Sequence, residues 1–173
     1  MRTIFEGKHV FVREREGWEF VERKTATEAV AIVAVTDAGE VVLTEQYRRP
    51  VDARVIDWPA GLIGDEGGSR DIEATARREL EEETGFTCTT IEHIASGPTS
   101  PGITSEIVHI VRARGLRRSG AGGGVGGEEI VVHLVPKGEL AEWLRRKEAE
   151  GVLVDLKVAT LNCKVLDGDG ERT

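Results

Sequence analysis

Nothing in this sequence is long and apolar enough to span a bilayer as a helix, and Met1-Arg2-Thr3-Ile4 does not open a signal peptide. Cysteine is nearly absent. Cys88 and Cys163 stand at no metal-ligand spacing and read as reduced packing thiols, with a single bridge left open. Positive charge is also short, 23 Lys and Arg against 31 Asp and Glu for a net charge of −8. That balance argues against a broad basic patch for nucleic acid or an anionic membrane surface. Aromatic residues are only 5% of the chain, so Trp18 and Phe20 on one strand face stand out. A chain of 173 residues suits one core. The expectation is a cytoplasmic protein with neither nucleic acid nor membrane as partner.

Apolar patterning supplies the frame. Residues 4–23 alternate around the turn Glu14-Arg15-Glu16-Gly17, the signal of an antiparallel hairpin. Residues 29–35 are almost continuously apolar and, after Thr36-Asp37-Ala38-Gly39, residues 40–43 follow suit, as strands buried on both faces do. Further strands are predicted over 87–95, 107–113 and 131–135. Helices are predicted over 138–151 and from Asp155 through Val165. His109, with no ligand at matching spacing, reads as a packing or solvent-facing residue. The stretch 115–127 is so rich in glycine that a mobile loop is expected, and 168–173 reads as a frayed tail.

Residues 71–86, D-I-E-A-T-A-R-R-E-L-E-E-E-T-G-F, carry the chemistry. Asp71 suits an N-cap and Gly85 a left-handed C-terminal position. At about 100° per residue, Glu82 and Glu83 fall within roughly 60° of Glu79 on the helix. Like charges so placed repel, which points to a cation among them, and a hard divalent ion such as Mg²⁺ or Mn²⁺ takes oxygen ligands of this kind. A solvated acidic face is the competing reading.

Arg78 to Phe86 matches R-E-U-x-E-E-x-G-U, U being bulky and apolar, and the chain thereby resembles the Nudix hydrolases. In the first half of the Nudix box, one alignment puts Gly64 at the glycine and Arg70 at the usual glutamate. The preferred one takes Gly61 of Pro59-Ala60-Gly61 as the box glycine and Glu66 as the glutamate, with 67–69 looped in. Gln46-Tyr47-Arg48 and Pro101, fifteen residues beyond Phe86, are similar to the ADP-ribose and nucleoside-diphosphate-sugar pyrophosphatase branch.

That resemblance implies an α/β fold, a Nudix-type α/β/α sandwich around a mixed sheet, with an N-terminal antiparallel hairpin over 1–28 that is swapped in a homodimer, a Nudix domain over 29–167 and a tail over 168–173. It implies Mg²⁺ (or Mn²⁺) held by Glu79, Glu82, Glu83 and the Ala60 carbonyl. Arg78 would orient the carboxylates. Glu128 or Glu129 would take a proton from the attacking water, making Glu128, Glu129 and Glu82 the catalytic set. Trp18 or Phe20 would stack on a base, and Arg48 or Arg49 would clamp the diphosphate. Pro101, Ser105, Glu106 and Lys157 would lie near substrate. The implied activity is hydrolysis of ADP-ribose or a related nucleotide sugar. GDP-mannose is the rival substrate, and a non-catalytic nucleotide-sugar sensor is the rival class.

Overall fold

The computed structural model describes residues 1–64 and 70–161. Glu66 and its loop, Cys163, Val165 and the 168–173 tail lie outside the described residues. In chain order the strands are β1 (Arg2–Glu6), β2 (Val10–Arg15), β3 (Trp18–Arg23), β4 (Glu28–Ala34), β5 (Glu40–Arg48), β6 (Ala53–Asp57) and β7 (Ala60–Leu62). Helix α1 (Ile72–Thr84) precedes β8 (Phe86–Thr87), β9 (Thr90–Pro98), β10 (Ile107–Arg114), β11 (Arg117–Arg118) and β12 (Val131–Pro136). Helix α2 (Leu140–Ala149), β13 (Leu153–Val154) and α3 (Leu156–Leu161) complete the order.

Two four-stranded sheets, β7-β4-β10-β9 and β12-β5-β6-β13, form the centre. Both are mixed, β4 running parallel to β10 and β6 parallel to β13. The apolar runs explain why helices cover both faces. On β4, Val30, Ile32 and Ala34 point into one core with Ala76 and Leu80 of α1, while Ala31 and Val33 point into the other with Leu140 and Leu144 of α2 and Val158 of α3. Strand β5 divides likewise, Val42 going to the first core and Val41 and Leu43 to the second. The result is an α/β/α sandwich. At the N-terminus a third strand joins the expected hairpin, giving an antiparallel sheet β1-β2-β3, because Arg2 to Glu6 pairs along the free edge of β2. Among the described residues no helix is long and apolar enough to cross a membrane.

One buried polar network ties the second sheet to its helix. Glu45 on β5, 8% exposed in its side chain, receives bonds from Arg54 of β6, from His133 of β12 at 2.9 Å and from Lys147 of α2 at 3.2 Å. Burial works against its ionisation, but these three partners override it and hold the carboxyl at about 2. Its stabilisation is therefore present above the ordinary 4.5 and is lost as pH falls towards 2. Glu45→Gln is expected to cost about 2–3 kcal/mol at pH 7 and less than half of that at pH 3. Urea unfolding at the two pH values checks this, and a pH-independent cost would contradict it.

Candidate active site

Helix α1 is fixed at both ends by its own sequence. The Asp71 carboxylate accepts the Glu73 N–H at 2.9 Å, and Gly85, at φ 70°, closes the helix with its N–H on the Glu81 carbonyl. Arg77 turns away from the acidic cluster to Glu73 and to the Cys88 carbonyl. Arg78 serves the cluster instead, one nitrogen on Glu79 and the other on Glu82, each at 2.6 Å.

Two of the three helix carboxylates line one cavity. Glu79 and Glu83 face a cavity of about 320 Å³, and Ala60, Gly61, Gln46, Arg48 and Glu128 line it with them. Glu82 is not among the lining residues; Arg78 holds it. Strand β7 packs close enough that a Cβ at Gly61 would overlap the Glu79 carboxylate. The Ala60 N–H donates to Glu83 Oε2 at 3.0 Å.

Glu83 is 7% exposed. Burial pushes its carboxyl up to about 8; the Ala60 N–H opposes that, Glu79 and Glu128 add to it, and Arg48 pulls it back. A buried carboxylate beside two more has too little positive charge around it. Among the described residues no three Asp, Glu, His or Cys side chains are grouped as a ready metal cage. Yet an all-oxygen donor set short of counter-charge suits a hard divalent cation.

Glu128 reaches the cavity at the end of the glycine-rich stretch, whose residues 119–124 bond to the end of α1. The Gly85 carbonyl accepts the N–H groups of Ser119 and Gly120, the Glu83 carbonyl that of Gly123 at 2.8 Å, and the Glu82 carbonyl that of Gly124 at 3.0 Å. These bonds use the carbonyls that a helix end leaves unpaired. The approach demands glycine: Gly122 has φ 74°, and a Cβ there would overlap the helix backbone at Thr84. The Val125 N–H donates to Glu128 Oε2 at 3.0 Å, and Gln46 donates to the Glu128 carbonyl. Glu129 is exposed at φ 52° and is not among the lining residues.

Three basic residues line the cavity as well. Arg48, Arg23 and Lys157 line both this cavity and a wider groove of about 950 Å³ that adjoins it. Arg23 pairs with Glu106 at 2.7 Å. Lys157 lies 2.7 Å from Asp155 and 3.1 Å from Asp57; burial works against its charge, and the two carboxylates override it. Arg49 opens a 3-10 turn and lines neither space. Gln46 of the Gln46-Tyr47-Arg48 segment lines the first cavity too, and so do Arg23 and Asp57, which no motif marked, although an aspartate within Val55-Ile56-Asp57-Trp58 is a polar break in an apolar run.

Trp18, Phe20, Pro101 and Ser105 meet in a separate cavity of about 410 Å³ that shares no lining residue with the first. The Trp18 indole N–H donates to the Gly102 carbonyl at 3.2 Å, while Val21 and Ser105 bond through their backbones, so β3 holds the proline loop.

Comparison with known proteins bears on this arrangement. Over 103 residues the chain is 42% identical to the methanol dehydrogenase activator of Bacillus methanolicus, covering 60% of this chain and 54% of that protein. Over 88 residues it is 44% identical to the ADP-ribose pyrophosphatase of Bacillus subtilis, covering 51% of this chain and 46% of that one. The chain thus spans about half the length of these curated relatives. A solved structure described as an ADP compounds hydrolase superposes with a TM-score of 0.69 over 98% of this chain and 92% of that one; at 24% identity it speaks for the fold. The family model described as NUDIX domain matches residues 25–156. Running from just before β4 to the first residue of α3, that match takes in both central sheets and the carboxylate helix, and the chain belongs to the NUDIX family.

Proposed function

We propose that this chain hydrolyses the diphosphate linkage of a nucleoside diphosphate joined to a sugar, with ADP-ribose as its preferred substrate and AMP and ribose 5-phosphate as products. One observation carries the reading: Glu79, Glu83 and Glu128 face the same cavity as Arg48 and Lys157. A diphosphate needs both sets of residues. Arg48 and Lys157 bind its oxygens, and Arg48 contributes a planar fork of donors. Glu79 and Glu83, with Glu82 and the Ala60 carbonyl close by, hold Mg²⁺ or Mn²⁺. When bound, the ion neutralises phosphate charge and lowers the pKa of a water. Glu128 accepts the proton of the attacking water, and Arg78 keeps Glu79 and Glu82 oriented.

In this reading residues 29–167 are the hydrolase unit and 1–28 a cover shared in a homodimer. Ile4, Phe5 and Trp18, 44%, 59% and 64% exposed, favour such a cover. Trp18 and Phe20 with Pro101 and Ser105 then offer a stacking surface for the base.

The test is turnover of ADP-ribose, GDP-mannose, UDP-glucose and a nucleoside triphosphate with Mg²⁺ or Mn²⁺, products resolved by chromatography. ADP-ribose is expected to give the highest kcat/KM, with AMP released. Preference for GDP-mannose would keep the chemistry and overturn the substrate. Binding without turnover of any compound would favour a sensor.

A further inference from the structure

The geometry points to a second cation site, for a late first-row transition metal ion, between His93 and His109 on the face of the sheet that carries Val111. A break in strand pairing brings them together. Opposite Ile110 stands Ala95, but opposite Val111 stands His93, so Ile94 is an extra residue on β9. In a regular strand, residues 93 and 96 would point to opposite faces; the bulge puts both on one face. Ser96 is the register partner of His109. Its hydroxyl oxygen lies 2.7 Å from His93 Nε2 and 2.7 Å from His109 Nδ1. Two imidazole nitrogens thus converge on one point held only by a rotatable hydroxyl.

The far side of His109 supports the same reading. Its Nε2 is buried without a hydrogen-bond partner, and Glu28 Oε1 stands 3.7 Å from it. A metal on Nδ1 places the ring proton on Nε2, where the Glu28 carboxylate can take it; metal-binding histidines are oriented by such carboxylates. His93, bound through Nε2, leaves its other nitrogen to solvent. With two nitrogen ligands and open positions for water, the site suits Cu²⁺, Ni²⁺ or Zn²⁺ and not Mg²⁺. It is separate in ligand chemistry and residues from the carboxylate cavity.

The chain has four histidines, so His9 and His133 serve as internal controls. In the Mg²⁺-loaded full chain, substoichiometric Cu²⁺ is expected to broaden the ring NMR signals of His93 and His109 first. Equal broadening of all four, or broadening of His9 first, would overturn the site. Calorimetry with Zn²⁺ in excess Mg²⁺ gives the second readout. His93→Ala, at an exposed position, is expected to remove the binding, and Glu28→Gln to weaken it about tenfold or more. Unchanged Zn²⁺ affinity in folded His93→Ala would refute the proposal.

Discussion

Glu83→Gln is expected to lower turnover about a thousandfold while raising the stability of the metal-free protein. The two effects share one cause. With its carboxyl moved from an ordinary 4.5 to about 8, Glu83 binds a proton on folding between those values. Stability then falls as pH rises through that window, by about 3–5 kcal/mol at most. Glutamine keeps the acceptor for the Ala60 N–H and removes the charge that Glu79 and Glu128 oppose. Without metal at pH 8 the variant should melt on the order of 10 °C higher than the parent. Adding Mg²⁺ should stabilise the parent and leave the variant nearly unmoved, since a ligand stabilises only the form that binds it. A variant that melts lower than the parent at pH 8, or that keeps its turnover, would refute this account of the site.

What the sequence disclosed follows the range of each interaction. The caps at Asp71 and Gly85, the two-sided apolar runs of β4 and β5 and the carboxylate spacing of α1 are local, and the structure has them where the pattern put them. Helical spacing set Glu82 beside Glu79 and Glu83 but could not show that one Arg78 guanidinium would bridge Glu82 to Glu79. The glycines of 115–127 hold more than the expected mobility. Glycine frees an isolated chain, yet here it also permits the close approach by which backbone N–H groups cap α1. Trp18 meets the proline loop 84 positions away through one carbonyl, a pairing that no local pattern encodes. The bulge at Ile94 is likewise a property of register between strands, so His93 and His109 looked unrelated in sequence.

The docked loop also distinguishes the two glutamates that sequence left equivalent. Glu128→Gln is expected to reduce kcat by about 10²- to 10⁴-fold, the range for loss of a positioned general base, and Glu129→Gln by less than about threefold. Both glutamates are exposed, but Glu128 lines the cavity with its carboxylate bonded by the Val125 N–H, and Glu129 is not among the lining residues. The same geometry makes position 122 sensitive although it bears no functional group. Gly122→Ala puts a methyl group into the backbone of α1 at Thr84 and an L side chain at φ 74°, so the loop must lift. Gly123 and Gly124 would then release the carbonyls of Glu83 and Glu82, and Glu128 would move relative to Glu79 and Glu83. A displacement near 1 Å costs about 10²-fold in rate, so Gly122→Ala should lose kcat roughly a hundredfold with little change in KM, because Arg48 and Lys157 sit on other elements. Steady-state kinetics on the three variants tests the set. A larger loss for Glu129→Gln than for Glu128→Gln would reverse the assignment, and full activity in Gly122→Ala would mean that the loop does not position the base.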